Sequence, residues 1–176
     1  MQLQLVPVHF LSLPGRLQRV THQLEAVYGL QVEQVAPWFD PEAVYDPERG
    51  QYNALGLLSV LLQRQGTHPG RVLAVTAVDL FIPVLTYVFG EAQLDGPAAV
   101  VSSRRLDPQA YGLAADEALL QRRLEVEAVH EIGHTFGLRH CFGPRCAMRG
   151  ATYAEEIDLK DATLCSECRQ QLAGRP

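Results

Sequence analysis

Nowhere is this sequence apolar over the about 18 consecutive residues that a membrane span needs. Its first residues, Met1-Gln2-Leu3-Gln4-Leu5-Val6-Pro7-Val8, hold neither the basic n-region nor the continuous apolar h-region of a secretory signal. Basic residues are the minority, 15 Lys and Arg against 20 Asp and Glu, giving a net charge of −5 and a pI of about 5.6. No basic patch interleaved with aromatics offsets that balance, which argues against nucleic acid or an anionic membrane as the main partner. Internal repeats and low-complexity segments are absent as well. Cysteine is missing from the first 140 residues, and all four lie beyond that point. These absences lead to the expectation of a soluble, cytoplasmic, monomeric protein.

What is present suits one domain. A chain of 176 residues with 47% apolar and 20% charged side chains can bury a sizeable core of its own. The informative stretch is residues 125–148, where His130, Glu131, His134, Gly137 and His140 follow in the order H-E-x-x-H-x-x-G-x-x-H, with Met148 downstream. On a helix turning about 100° per residue, Val129, Ile132 and Phe136 fall within roughly a 60° arc. His130 and His134 point roughly 150° away from its centre, one turn apart, close enough for two imidazoles to bind one ion. A catalytic zinc keeps three protein ligands and one open position. Gly137 can take the left-handed conformation that ends a helix, so the chain can turn and return His140 to the ion. Glu131 then lies beside the open position rather than on the metal, as a general base requires.

The four cysteines, Cys141, Cys146, Cys165 and Cys168, form a C-x4-C and a C-x2-C pair. In a reducing compartment such clustering favours a closed four-thiolate zinc site that contributes to folding rather than chemistry. Two disulfides in a secreted protein are the alternative, and a redox C-x-x-C at Cys165 lacks the preceding thioredoxin-like strand. Two zinc ions per chain are therefore expected, one catalytic and one structural.

Along the chain, residues 2–10 alternate as a strand, with Pro7 marking an edge position or a strand end. Leu17, Val20, Leu24 and Val27 have helical spacing up to Gly29, and residues 30–36 are a second strand. A long connection over 37–53, with three prolines, precedes a helix over 54–65 that Asn53 could cap. The continuous apolar run 71–78 predicts an inner strand buried on both faces. Further strands are expected at 84–89 and 98–102, with Asp79 a turn residue and Arg104 and Arg105 solvated. A helix from Asp116 runs into the zinc motif, with Arg122, Arg123, Glu125 and Glu127 as its exposed flanks. His9, His22 and His68 stand outside any ligand spacing and read as surface or packed histidines. The order implies an α/β layered domain with a mixed sheet. The 39 residues after Gly137 hold too little core to fold without a structural metal.

The zinc motif running directly into His140-Cys141, then Cys146-Ala147-Met148, then Cys165-Ser166-Glu167-Cys168, resembles the archaemetzincins, a branch of the metzincin zinc peptidases. Asp79-Leu80, Val88-Phe89-Gly90-Glu91-Ala92, Val100-Val101-Ser102 and Arg105-Leu106 extend the similarity to roughly residues 70–170. The gap from Met148 to Cys165 is 16 residues, about one shorter than the family spacing, which concerns a loop and not a ligand. The resemblance implies a metzincin-like fold: a mixed, twisted five-stranded sheet with backing and active-site helices, plus a small zinc-stapled C-terminal subdomain. Residues 1–137 would form the upper subdomain. Residues 138–176 would carry the third histidine, a Met-turn with Met148 as an apolar floor under the ion, and the four-cysteine site. It further implies that an edge strand around Thr86–Phe89 binds an extended peptide by strand addition.

The function expected is hydrolysis of peptide bonds through a zinc-activated water with Glu131 as general base. Tyr153 is near enough in sequence to be considered as an additional oxyanion donor. The rival readings are a zinc-stabilised binding module with a vestigial or masked site, and a zinc amidase acting on a non-peptide substrate. An intact Glu131 favours an enzyme, because a decayed site is free to lose its base.

Overall fold

Strands with apolar residues on both faces need cover on both sides, and the chain supplies it by alternating strands with helices. The computed structural model describes residues 2–10, 15–65 and 70–174. In chain order these form β1 (Gln2–Val8), α1 (Arg16–Tyr28), β2 (Gln31–Gln34), a 3-10 turn (Pro41–Val44), β3 (Tyr45–Asp46), β4 (Gln51–Asn53) and α2 (Ala54–Gln65). There follow β5 (Arg71–Thr76), β6 (Leu80–Phe81), β7 (Gly90–Ala92), β8 (Ala98–Ser102), a second 3-10 turn (Pro108–Tyr111), α3 (Glu117–Thr135), α4 (Ala154–Ile157) and α5 (Ser166–Ala173).

The main sheet has five strands in the order β2-β1-β5-β8-β7. The first four run parallel and β7 lies antiparallel on β8, so the sheet is mixed. Its central strands alternate between two cores. Leu3, Leu5, Leu73, Val75, Ala99 and Val101 meet Val20 and Leu24 of α1 and Leu124, Val129 and Ile132 of α3. Val6, Val8, Val72, Ala74, Ala98 and Val100 meet Leu57, Leu58 and Leu61 of α2. The strand at 71–76 is thus buried on both faces over residues 72–76, as its nearly continuous apolarity implies.

Pro7 marks the end of a strand, in an inner position. The Val35 N–H donates to the Leu5 carbonyl at 3.0 Å, so at position 5 the backbone faces β2. Position 7 faces the same way by the two-residue period, but β2 pairs no further than Leu5, and the donor that proline lacks has no strand to meet.

Three expectations need correction. Residues 84–89 are not a strand. Val84 and Leu85 are exposed, the chain turns from Ile82 to Leu85, and pairing begins only with an isolated bridge of Val88 to Leu80. The fifth strand is β7, six residues on, and the apolar run before it lines a cleft while Phe89 at its end also reaches the core. Asp79 is an anchor: Arg105 grips its carboxylate through bonds of 2.8 and 2.5 Å, and Gln51 Nε2 adds a third at 3.1 Å, so Arg105 is not merely solvated either. The connection over 37–53 carries β3 and β4, which join β6 in a second, three-stranded sheet that backs the cleft wall, Gln51 Nε2 donating to the Thr86 carbonyl at 3.0 Å and Leu80 bridging to Val88. His68 lies outside the described residues. No described helix is long and apolar enough to cross a membrane.

Candidate metal centre and active-site cleft

Helix α3 delivers the first two imidazoles. Asp116 caps it, its side chain accepting from the Leu119 N–H at 2.9 Å. At the other end Gly137 is left-handed, with φ of 74°. The Gly137 N–H donates to the His134 carbonyl at 2.7 Å and the Leu138 N–H to the Gly133 carbonyl at 3.0 Å, the paired bonds of a Schellman turn. That turn redirects the chain so that His140 faces the helix. The ring centroids of His130, His134 and His140 are 4.6, 5.0 and 5.1 Å apart, and one ring nitrogen from each lies within 4.8 Å of the others.

Two of the rings are held by backbone. His130 Nδ1 lies 2.7 Å from the Ala147 carbonyl and His134 Nδ1 lies 2.7 Å from the Leu138 carbonyl. A carbonyl only accepts, so each Nδ1 carries the proton and each Nε2 presents a lone pair. The two Nε2 atoms converge to 3.0 Å. Lone pairs aimed at each other at that distance suit a shared cation and little else, and this is the tautomer in which metal-bound histidine is normally held. Burial lowers the pKa of all three imidazoles, most strongly at His130, with the neighbouring imidazoles and Lys160 adding to the effect there. The site is therefore tuned to neutral, ligating rings.

Glu131 is buried beside them, and desolvation first, then the charges of Glu127 and Glu91, push its carboxyl well above the usual range, with Lys160 opposing. Gly90 of β7 packs directly over it: a Cβ there would stand 2.6 Å from Glu131 Oε1. Met148 is fully buried against the helix between His130 and His134, where a Cβ at Gly133 would meet its Sδ at 2.2 Å. A glycine inside the helix is what lets the methionine approach.

Above these groups opens a cleft of about 820 Å³. One wall runs from Leu85 to Leu94 and includes β7, and the other comprises Arg139, His140 and residues 151–153. The Tyr87 hydroxyl donates to the Thr152 carbonyl at 3.0 Å, joining the walls at one point. Tyr153 lines the cleft but is 63% exposed, with no hydroxyl partner among the described residues.

The four cysteines, distant in sequence, also come together, with all Sγ atoms within 4.8 Å and none in a disulfide. Cys146 Sγ and Cys168 Sγ are 3.8 Å apart, matching the roughly 3.8 Å edge of a tetrahedron with Zn–S near 2.3 Å. The Cys165 N–H donates to Cys146 Sγ at 3.2 Å, the kind of bond that supports a thiolate. Both donor sets fit zinc. A third group, His9 with Asp40 and Glu42, is exposed throughout, with ion-pair distances of 3.7 and 3.9 Å, and shows no such preparation.

Two flank residues of α3 differ from expectation. Arg123 is buried, bonded to Asp158 at 2.8 and 2.7 Å and to the Leu106 carbonyl. Glu127 is buried against Lys160, Nζ to Oε1 2.9 Å. Sequence reasoning passed over Lys160 entirely. Two signals could have drawn notice: Glu127 stands three residues before His130 and four before Glu131, hence on their face of the helix, and Lys160 is the only lysine among 15 basic residues.

Residues 12–174 match peptidase family M54. The archaemetzincin of Methanocaldococcus jannaschii is 39% identical over 143 residues, 81% of this chain and 78% of that protein. The archaemetzincin of Haloarcula marismortui is 33% identical over 98% of this chain and 99% of its own. The crystal structure of archaemetzincin from Methanopyrus kandleri superposes with a TM-score of 0.84 at 35% identity, covering 98% of this chain and 93% of that one. With its sheet, its clustered histidines and its sequence in agreement, the chain belongs to peptidase family M54.

Proposed function

We propose that this zinc-dependent peptidase holds its catalytic zinc on His130, His134 and His140 and uses Glu131 as general base. A second, structural zinc sits on Cys141, Cys146, Cys165 and Cys168. The observation that carries the reading is the pair of imidazoles locked by backbone carbonyls with their Nε2 lone pairs converging. Bound there, zinc supplies Lewis acidity, acidifying water towards a pKa of about 7 and polarising a carbonyl.

The chain's own residues do the rest. Glu131, its carboxyl raised by burial, accepts the proton of the attacking water and returns it to the leaving amine. The Nδ1 bonds hold the rings of His130 and His134 so that neither reorients during turnover. The outer edge of β7, terminal in its sheet, offers backbone groups to a peptide laid antiparallel along the cleft. We assign residues 1–137 to an upper and 138–176 to a lower, zinc-stapled subdomain of one metzincin-like catalytic domain, a division that the two walls of the cleft support. A buried floor at Met148 fits the Met-turn role.

The test is Glu131→Ala with zinc content and peptide hydrolysis measured together. Zinc retained with hydrolysis abolished is expected. Turnover that survives the change overturns the assignment of the base.

A further inference from the structure

The chain's one lysine is buried in an ion pair. Lys160 has a side-chain exposure of 0%, and its partner Glu127 one of 5%. Fourteen of the 15 basic residues are arginine, so a lysine here is a local requirement and not a habit of composition. An ammonium is compact, with three donors on a flexible stem, and it suits a closed pocket between two acceptors that a planar guanidinium would overfill. Those acceptors are Glu127 Oε1 and the Arg149 carbonyl, both at 2.9 Å.

The second acceptor gives the pair its meaning. Arg149 lies in a four-residue loop in which every other member touches the histidine site. The Ala147 carbonyl orients His130. Met148 packs under Gly133. Gly150 lies against His140, where a Cβ would come 3.2 Å from its Nδ1. Lys160 fastens the fourth member, Arg149, to the helix through Glu127.

We propose that the Glu127–Lys160 pair is the positioning device of the catalytic metal site: it latches loop 147–150 onto the helix that carries His130 and His134, and so sets how tightly three imidazoles grip one ion. This rests on the histidine site being the zinc site. Both residues are positioning residues and neither touches the ion. A buried ion pair is weak evidence for stability, since apolar residues of similar volume often replace one without loss. Its retention here follows from the backbone carbonyl it holds.

The test uses the full chain with its thiolate site filled. Affinity of the nitrogen site is measured by competition with a chromophoric chelator, and its geometry by cobalt substitution, because thiolate charge-transfer bands separate the two sites. Lys160→Met should weaken the nitrogen site by about 10–100-fold, the usual effect of losing an outer-shell partner, and alter its cobalt spectrum with the thiolate bands unchanged. Should that variant misfold, Glu127→Met with Lys160→Met leaves no unpaired charge and should show the same weakening in a folded protein. Arg123→Met breaks the other buried ion pair of α3, away from the loop. It should lower stability without changing metal affinity. Wild-type affinity and spectrum in the Lys160 variants overturn the latch. Failure of the wild-type chain to bind metal on nitrogen ligands at all overturns the site reading and the latch with it.

Discussion

Gly133→Ala puts a methyl group where the fold has no room, and the outcome can be worked through. The new Cβ would stand 2.2 Å from Met148 Sδ, 3.1 Å from its Cε and 3.0 Å from the Tyr28 hydroxyl. Ordinary contacts are about 3.5–4.0 Å, so the sulfur must retreat by roughly 1.5 Å. Methionine is flexible, but Met148 is fully buried and its neighbours are held, Ala147 by the Thr163 carbonyl and Arg149 by Lys160. Overpacking of this kind costs about 1–3 kcal/mol. Against it stands the gain of alanine over glycine inside a helix, about 0.8–1.0 kcal/mol. The net expectation is a loss of about 0–2 kcal/mol, or up to about 8 °C in Tm for a chain of this size. Urea unfolding at constant zinc gives the number, and a cycle with Met148→Ala gives its cause. In that background, where a cavity already costs about 2–5 kcal/mol, the alanine should stabilise, because its propensity gain remains and the sulfur clash is gone, leaving only the tight approach to the Tyr28 hydroxyl, which the emptied methionine volume can absorb. Were Gly133→Ala to stabilise the wild-type chain as much as the Met148→Ala chain, no steric coupling would exist and the close approach would carry no weight.

The metal-free chain should lose stability as pH falls from about 7 to 5.5. His130, His134 and His140 all have folded pKa values below the ordinary histidine value. The unfolded chain therefore binds more protons once pH drops through about 6.5, and the folded state loses ground until its own lower values are reached. Glu131, raised in the fold, binds protons more readily when folded and pulls the other way, so Glu131→Gln should steepen the loss seen in pH-dependent urea unfolding. Cys168→Ser should cost about one zinc equivalent per chain by metal analysis and expose the remaining thiols to a titrant; unchanged zinc content would refute the four-thiolate site. Arg139 is the one cation among the side chains lining the cleft. Arg139→Glu should raise KM for peptides with acidic side chains more than for neutral ones, with kcat little changed, and an equal effect on both would rule out a role in selectivity.

How much of this was legible in the sequence divides along a physical line. The helix carrying the histidine motif was readable because a helix has one geometry: the spacing of His130, Glu131 and His134 determines their directions, and Gly137 ends the helix. The buried strand at 71–76 was readable because only core tolerates an unbroken apolar run. The stretch 84–89 misled for a related reason. Leu85, Tyr87, Val88 and Phe89 line a cleft, the last three with one side against the core, and a cleft wall and a core strand have the same composition. The real edge strand, Gly90-Glu91-Ala92, has no strand propensity to announce it. Its glycine answers a demand from Glu131, some 40 positions away, that no local pattern contains. Arg123 and Glu127 were misread because they occupy the side of α3 that is solvent only until the C-terminal segment packs on it, bringing Asp158 and Lys160.

That last misreading bears on why the two candidate metal sites share one short segment. His140 and Cys141 are consecutive, and so are Cys146 and Ala147, so each end of the connection between them steps directly from a thiolate ligand to a residue of the histidine site. The Cys141 N–H donates to the Met148 carbonyl at 3.0 Å, and the Asp161 N–H to the Arg145 carbonyl at 2.8 Å, which ties the connection to itself and to the chain beyond α4. A segment with so little core could not hold a carbonyl to a few tenths of an ångström against His130 by packing alone. In the proposed four-thiolate site, an ion closed on by the cysteines would supply the missing rigidity from one side, as the buried Lys160–Glu127 pair would from the other. If the proposed sites hold, the cysteines would serve the catalytic apparatus without taking part in the chemistry: they would determine where a backbone oxygen lies, the oxygen which way an imidazole faces, and the imidazole whether the ion is held.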